Sequence, residues 1–202
     1  MNERKGTLVD DLNDFDGFCA SMKPGNIIVI TGDAQSGKTK LAMKVAHAFA
    51  PDAVPPDGKP RYAYVLTPLK SSQTMMEAGL CKRHILVDDC PRLFVDGILS
   101  RVRAVAKAYR LSLVVIDDFQ SVARQFMEDP NQNRQEIAEA IKALAEELQI
   151  PVVLVVSDAH KVPCEYCQCN LQFLNELADC TGVCICLGRS EGDKPTYCMM
   201  RT

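Results

Sequence analysis

An α/β architecture, with a mostly parallel central sheet and helices on both faces, follows from three features of this 202-residue chain. Ile27-Ile28-Val29-Ile30, Leu113-Val114-Val115-Ile116 and Val152-Val153-Leu154-Val155-Val156 are rich in β-branched residues and almost continuously apolar, as parallel strands buried on both faces must be. Segments with apolar residues at helical spacing alternate with them. The first strand also runs straight into Gly32-Asp33-Ala34-Gln35-Ser36-Gly37-Lys38-Thr39, a G-x-x-x-x-G-K-[ST] loop between a strand and an amphipathic helix.

That loop carries a chemistry. Gly32 and Gly37 let backbone N–H groups turn inward with no Cβ in the way, and the helix that follows points its positive end at the same spot. Polyphosphate is the natural occupant. Lys38 is placed to reach the β- and γ-phosphates as a point charge, and the Thr39 hydroxyl to ligate Mg²⁺. Gly32, Asp33, Ala34, Gln35, Ser36, Gly37, Lys38 and Thr39 are therefore the candidate nucleotide-binding residues.

Residues 1–25 form a lead-in, in which Asp10, Asp11, Asp14 and Asp16 interleave with Leu12, Phe15 and Phe18 before Lys23-Pro24-Gly25 turns into the first strand, Asn26 to Thr31. Leu41, Ala42, Val45, Ala46 and Phe49 mark the helix after the loop. The proline-rich run from Pro51 to Pro60 is a surface loop, and Tyr62 to Leu66 is the second strand. Ser71 to Ala78 reads as a short helix, and Ile85-Leu86-Val87 as a short strand ending in a turn at Asp88-Asp89. From Val95 to Tyr109, Ile98, Val102, Val105 and Ala106 keep helical spacing. Arg101, Arg103, Lys107 and Arg110 decorate this helix, either as a solvated face or as a nucleic-acid patch.

Leu111 to Ile116 is a buried strand that ends in Asp117-Asp118. In a nucleotide-binding sheet the carboxyl end of such a strand is the second half of the site. Asp117 is placed to organise Mg²⁺ opposite Thr39, and Asp118 is either a general base for an attacking water or a turn residue. Lys38, Asp117 and Asp118 are the candidate catalytic residues. Asp129 to Asn133 breaks the chain; Asn133 and Glu136 then have capping-box spacing, ahead of an apolar stripe of Ile137, Ala140, Ile141, Leu144, Ala145 and Leu148. Pro151 to Val156 is another buried strand, ending in Ser157-Asp158-Ala159-His160-Lys161, and two more strands follow at Val183 to Leu187 and Tyr197 to Met200.

The length suits one domain, 1–202, with a Cys-rich insertion at 158–175. Apolar content of 47%, charged content of 24% and a net charge of −3 describe a soluble chain with no global electrostatic footprint for nucleic acid, so any such contact must be local. No apolar run reaches the length of a signal segment or a membrane span, which predicts a cytoplasmic protein without a membrane partner. Ten cysteines in that compartment read as reduced core residues or metal ligands.

Strands and helices alternating around this loop define a P-loop NTPase. The ordered set formed by the Thr7-to-Lys23 lead-in, Gly32 to Thr39, Ile85-Leu86-Val87-Asp88-Asp89 with Pro91, Leu113 to Gln120, and Ala143 to Val153 resembles the RecA-like ATPase core of DnaB-type replicative hexameric helicases. The resemblance implies ATP as the nucleotide, Mg²⁺ as its metal, single-stranded DNA as a partner through the loop after the fourth core strand, and a homo-oligomer, in that family a hexamer. His160-Lys161 is also similar, more weakly, to a motif of plasmid-type RepA helicases. The chain departs from the family at Thr67-Pro68-Leu69-Lys70, where its catalytic glutamate is usual, and at Ser157-Asp158, where a serine is usually followed by glutamine. The resemblance covers the motor core and not the family's N-terminal domain and linker helix, and Arg189 and Arg201 are the obvious arginine-finger candidates. Two functions fit: a minimal ATP-driven helicase or translocase motor, or an ATP-gated assembly module with weak or no hydrolysis.

Cys164, Cys167 and Cys169 lie within one stretch, with His160 before and Cys180 after them. A C-x-x-C turn can supply two tetrahedral zinc ligands and a structural site needs four, so His160 or Cys180 would complete a candidate Zn²⁺ site; the alternative is three reduced loop thiols. Cys184 and Cys186 share a strand face and read as small core residues. His47 and His84 have no constellation around them and read as structural.

Overall fold

Strands that are apolar on both sides need cover on both sides, and the order of elements provides it. The computed structural model describes residues 15–32, 36–51, 55–67, 83–89, 95–119, 132–157, 181–189 and 195–201. In chain order these hold α1 (Phe15–Ser21), β1 (Ile27–Gly32), α2 (Lys38–Phe49), β2 (Tyr62–Leu66), β3 (Ile85–Asp88), α3 (Val95–Ala108), β4 (Leu111–Asp117), α4 (Gln132–Leu148), β5 (Val152–Ser157), β6 (Thr181–Arg189) and β7 (Pro195–Arg201). The seven strands form one sheet in the order β3-β2-β4-β5-β1-β6-β7. Every neighbouring pair is parallel except β6 and β7.

The two faces have separate cores. Side chains alternate along each strand, so Ile28 and Ile30, Ala63 and Val65, Leu113 and Val115, and Val153 and Val155 pack with Phe18 and Met22 of the N-terminal segment and Leu41, Met43 and Val45 of α2. Ile27 and Val29, Tyr64 and Leu66, Val114 and Ile116, and Val152 and Leu154 pack with Ile98 and Val102 of α3 and Ile141 and Leu144 of α4. All six residues of β1 are buried. Burying one such aliphatic side chain contributes on the order of 1.5–3 kcal/mol, so the central strands are firmly held, together with whatever their carboxyl ends carry.

Residues 15–25 are more ordered than the acidic composition around them suggests. Phe15, Phe18 and Met22 stand at helical spacing; residues 15–21 form a helix with Phe18 buried, and Met22 just after it is buried too. The Lys44 ammonium caps its outer ring, 4.2 Å from the Phe15 centroid. At the other end, α4 begins at Gln132, so Asn133 lies inside the helix and not at its cap. The expected helix at Ser71 to Ala78 and the Cys-rich insertion lie outside the described residues.

Candidate functional site

The strand order brings the two halves of the site together. β1 and β4 end on the same edge with β5 between them, and α2 starts over that gap. Asp117, following Leu113 and Val115 by alternation, faces the α2 side, where its Oδ2 accepts a 2.7 Å hydrogen bond from Thr39 Oγ1. Asp117 is buried. Residues 78 positions apart thus form a hard-oxygen pair, a hydroxyl and a carboxylate, of the kind that Mg²⁺ takes.

The loop is built for close approach. Gly32 has φ +146°, and a Cβ there would sit 2.3 Å from the Leu187 carbonyl oxygen of β6 and 3.0 Å from Ser36 Oγ. Only glycine fits. Among the described residues nothing lies within 4 Å of a Cβ at Gly37, which stands at φ +92°, in the left-handed region, so there the backbone conformation asks for glycine. Its carbonyl accepts from Leu41 N–H at 2.9 Å, the first turn of α2. Among the described residues no side chain caps this helix, and its first turn has no acidic residue, an arrangement whose positive end suits an anion.

Lys38 is buried, and its Nζ donates a 2.8 Å hydrogen bond to the Gly32 carbonyl. The ammonium is therefore held across the loop that it follows. Burial weakens the screening of its charge. Ser36 Oγ and Thr67 Oγ1 are also buried, and neither has a hydrogen-bond partner among the described residues. Thr67, directly after β2, is the one member of this neighbourhood that the sequence reading left without a role.

Asp118 follows Asp117 across a cis peptide bond and is partly buried; Asp117 is the one that receives the Thr39 hydroxyl. Asp33, Ala34 and Gln35 lie outside the described residues, as do His160, Cys164, Cys167, Cys169 and Cys180. Among the described residues no group of three His, Cys, Asp or Glu side chains is placed to hold a metal. Cys184 is buried in the core on the α3–α4 side, as its alternation implied. His84 is buried too; its Nδ1 lies 2.9 Å from the Pro51 carbonyl and its ring meets Tyr62 edge-on, a structural role.

Three of the four basic residues on and just after α3 are tied to other elements. Arg101 donates to Asp88 at 2.7 Å, Arg103 grips Glu147 of α4 through two nitrogens at 3.0 and 2.6 Å, and Arg110 pairs with Asp57. That supports the solvated-face reading over the nucleic-acid patch.

Comparison with known proteins agrees with this geometry. Residues 66–161 match the family model described as DnaB-like helicase C terminal domain. The replicative DNA helicase DnaB of Geobacillus stearothermophilus is 33% identical over 82 residues, covering 40% of this chain and 18% of that protein. The DnaB of Haemophilus influenzae is 25% identical over 173 residues, covering 69% of this chain and 36% of that protein. The chain thus spans well under half the length of these relatives. Among solved structures, an ATPase domain superposes with a TM-score of 0.63 at 16% identity, over 85% of this chain and 74% of that one. A KaiC-like protein from Pyrococcus horikoshii gives 0.62 at 16% identity, over 88% and 79%. The fold is the α/β RecA-like P-loop fold, and in sequence the chain resembles the DnaB-like helicase and ATPase proteins.

Proposed function

We propose that this chain is a single RecA-like domain that binds Mg²⁺ and ATP at Gly32–Thr39 and hydrolyses ATP as the minimal motor of a DnaB-like DNA helicase or translocase. The observation that carries the reading is the 2.7 Å bond from Thr39 to Asp117, because it joins the phosphate loop to the carboxyl end of β4 across an intervening strand. A buried ammonium, an uncapped helix start and a hydroxyl–carboxylate pair are the parts that polyphosphate with a divalent cation requires.

Each residue then has a task. The N–H groups of the loop and first turn bind phosphate oxygens, and Lys38 adds a point charge against the charge that spreads onto the transferred phosphoryl group. Thr39 and Asp117 hold Mg²⁺, which when bound neutralises phosphate charge. Asp118, one residue beyond the metal carboxylate, is the candidate base that would accept a proton from water. Single-stranded DNA would lie along the loop after β5, with homo-oligomers, hexameric in the related helicases, bringing Arg189 or Arg201 to a neighbouring site. The same reading places the protein in the cytoplasm. Among the described residues no helix is long and apolar enough to cross a membrane. A structural Zn²⁺ held by Cys164, Cys167 and Cys169 with His160 or Cys180 would stiffen the DNA-contacting loop; metal content near zero in folded protein purified without chelators would remove that element.

A second reading has its own observation. Thr67-Pro68-Leu69-Lys70 holds no carboxylate where the resembled helicases carry a catalytic glutamate, which favours an ATP-gated assembly module with slow or absent turnover. Steady-state ATP hydrolysis with and without single-stranded DNA decides between the two, with Lys38→Ala as the blank. DNA-stimulated turnover that the substitution abolishes supports the motor. Nucleotide binding without turnover in either condition supports the gated module and overturns the motor.

A further inference from the structure

We infer that Thr67 is a positioning residue of this site: its hydroxyl holds a water of the divalent-cation shell beside Asp117. The inference rests on the Mg²⁺–nucleotide reading of the loop and adds a residue that the loop motif does not contain.

The placement comes from register. Leu66 of β2 pairs with Ile116 of β4, so Thr67 and Asp117 are the next residues on two adjacent strands, about 4.8 Å apart in the pairing direction. Thr67 N–H donates to the Asp88 carbonyl at 2.8 Å, which continues the β2–β3 pairing one residue past the strand. Alternation then sets the face. Ala63 and Val65 belong to the α2-side core, as do Leu113 and Val115, so Thr67 and Asp117 emerge on that same side. Thr39 reaches Asp117 there. The three oxygen-bearing side chains share one face at one edge of the sheet.

The hydroxyl itself points to a ligand. Thr67 is 0% exposed, and its Oγ1 has no hydrogen-bond partner among the described residues. Buried polar atoms are nearly always satisfied, and valine would fill the same volume with nothing left unpaired. A buried threonine hydroxyl with no protein partner among the described residues, beside a metal-type carboxylate, suits a bound water. Mg²⁺ suits this arrangement, because it gives up its hydration shell reluctantly and is held by one or two protein oxygens plus phosphate, with several waters retained. Those waters are strong donors, and a hydroxyl has two lone pairs to accept from them and one proton to give to a phosphate oxygen. A neutral hydroxyl cannot replace a glutamate as base, so Thr67 acts on metal and water position and not on proton removal.

The same features separate this role from a packing role. In ligand-free protein, Thr67→Val removes an unpaired buried hydroxyl, so its melting temperature should stay level or rise by about 2–4 °C. In the presence of a slowly hydrolysed ATP analogue, the Mg²⁺ concentration for half-maximal nucleotide binding, read by calorimetry, should rise about 3–10-fold, the loss of one hydrogen bond to a charged group's shell. Thr67→Ser, which keeps the hydroxyl, should restore the wild-type requirement. An unchanged Mg²⁺ requirement in Thr67→Val, or a lower ligand-free melting temperature with an unchanged requirement, overturns the inference while leaving the nucleotide site intact. If wild-type protein binds the analogue no better than Lys38→Ala, the reading of the loop fails and takes this inference with it.

Discussion

Two aspartates end neighbouring parts of the same sheet edge and are used in opposite ways. Asp88, at the end of β3, faces the α3 side, where its Oδ2 accepts from Tyr64 Oη at 2.7 Å and from the Arg101 guanidinium at 2.7 Å. A strand, its neighbour and a helix are tied through one carboxylate oxygen. Asp117, at the end of β4, faces the α2 side and meets a hydroxyl whose own chemistry suits metal. On the α3 side the polar groups are matched to one another by the protein itself. On the α2 side two buried hydroxyls, Ser36 of the loop and Thr67 after β2, have no partners among the described residues. Unspent hydrogen-bonding capacity gathered on one face is a cost to the fold, and a bound ligand is what recovers it.

The largest way to break this asymmetry is at the loop itself. Gly32→Ala puts a Cβ into the Leu187 carbonyl at a φ that only glycine adopts readily. Backbone strain and overpacking together should cost roughly 3–5 kcal/mol, read as a lower urea midpoint with unchanged slope. The clash lies between β1 and β6, so nucleotide binding should be lost with it. A variant that kept wild-type stability would show that the loop is not closed onto β6 as described.

Tyr64→Phe tests the other face. It removes the hydroxyl from Asp88 and leaves Arg101 in place, so it should cost about 1 kcal/mol of stability and leave nucleotide binding unchanged. The stronger signature is in alkali. Burial first, then the hydrogen bond to and charge of Asp88, push the Tyr64 pKa above its ordinary value of 10.0. The unfolded tyrosine then ionises near pH 10 while the folded one keeps its proton, so the unfolded state binds fewer protons and stability falls as pH rises above 10. Cys19, pushed up to about 11 by burial and by Asp16, adds a similar loss from pH 9 to 11 in both proteins. The difference between wild type and Tyr64→Phe therefore isolates the tyrosine: it should be largest near pH 9 and shrink above pH 10. A difference that stays constant with pH would mean that Tyr64 is not held as the neutral donor.

The α2 side was the easier face to read in the sequence. Parallel strands buried on both faces announce themselves as unbroken apolar runs, and the loop motif fixes where a strand becomes a helix. Asp117 was legible because it ends such a run. Thr67 was not, since a threonine at the end of Tyr62 to Leu66 looks like one more β-branched strand residue until its burial and lack of a partner are seen. The acidic residues around Phe15 and Phe18 hid α1, whose apolar stripe is only two turns long. The strand at Tyr197 to Met200 was legible, but its antiparallel direction was not, because nothing local in a strand encodes direction. The cation pairs of α3 were hidden for the same reason: Arg103 and Glu147 are 44 residues apart and meet only once α3 and α4 share a face.

Arg103 also gives the smallest and most discriminating test. Both members of its pair are exposed, so solvent and salt screen their attraction and little stability rests on it. The Glu147 carboxylate is held below its ordinary range, and the Arg103 guanidinium above its own, chiefly by the hydrogen bonds between them. Arg103→Ala should therefore leave the unfolding midpoint within experimental scatter. If the α3 face were instead a nucleic-acid surface, the same substitution would weaken single-stranded DNA binding across all sequences and reduce the slope of log affinity against log salt by about 1. An unchanged salt slope is expected, because the Glu147 carboxylate beside Arg103 offsets its charge toward a phosphate. A reduced slope would move the DNA-binding surface to the α3 face and remove the contrast between the two sides of the sheet.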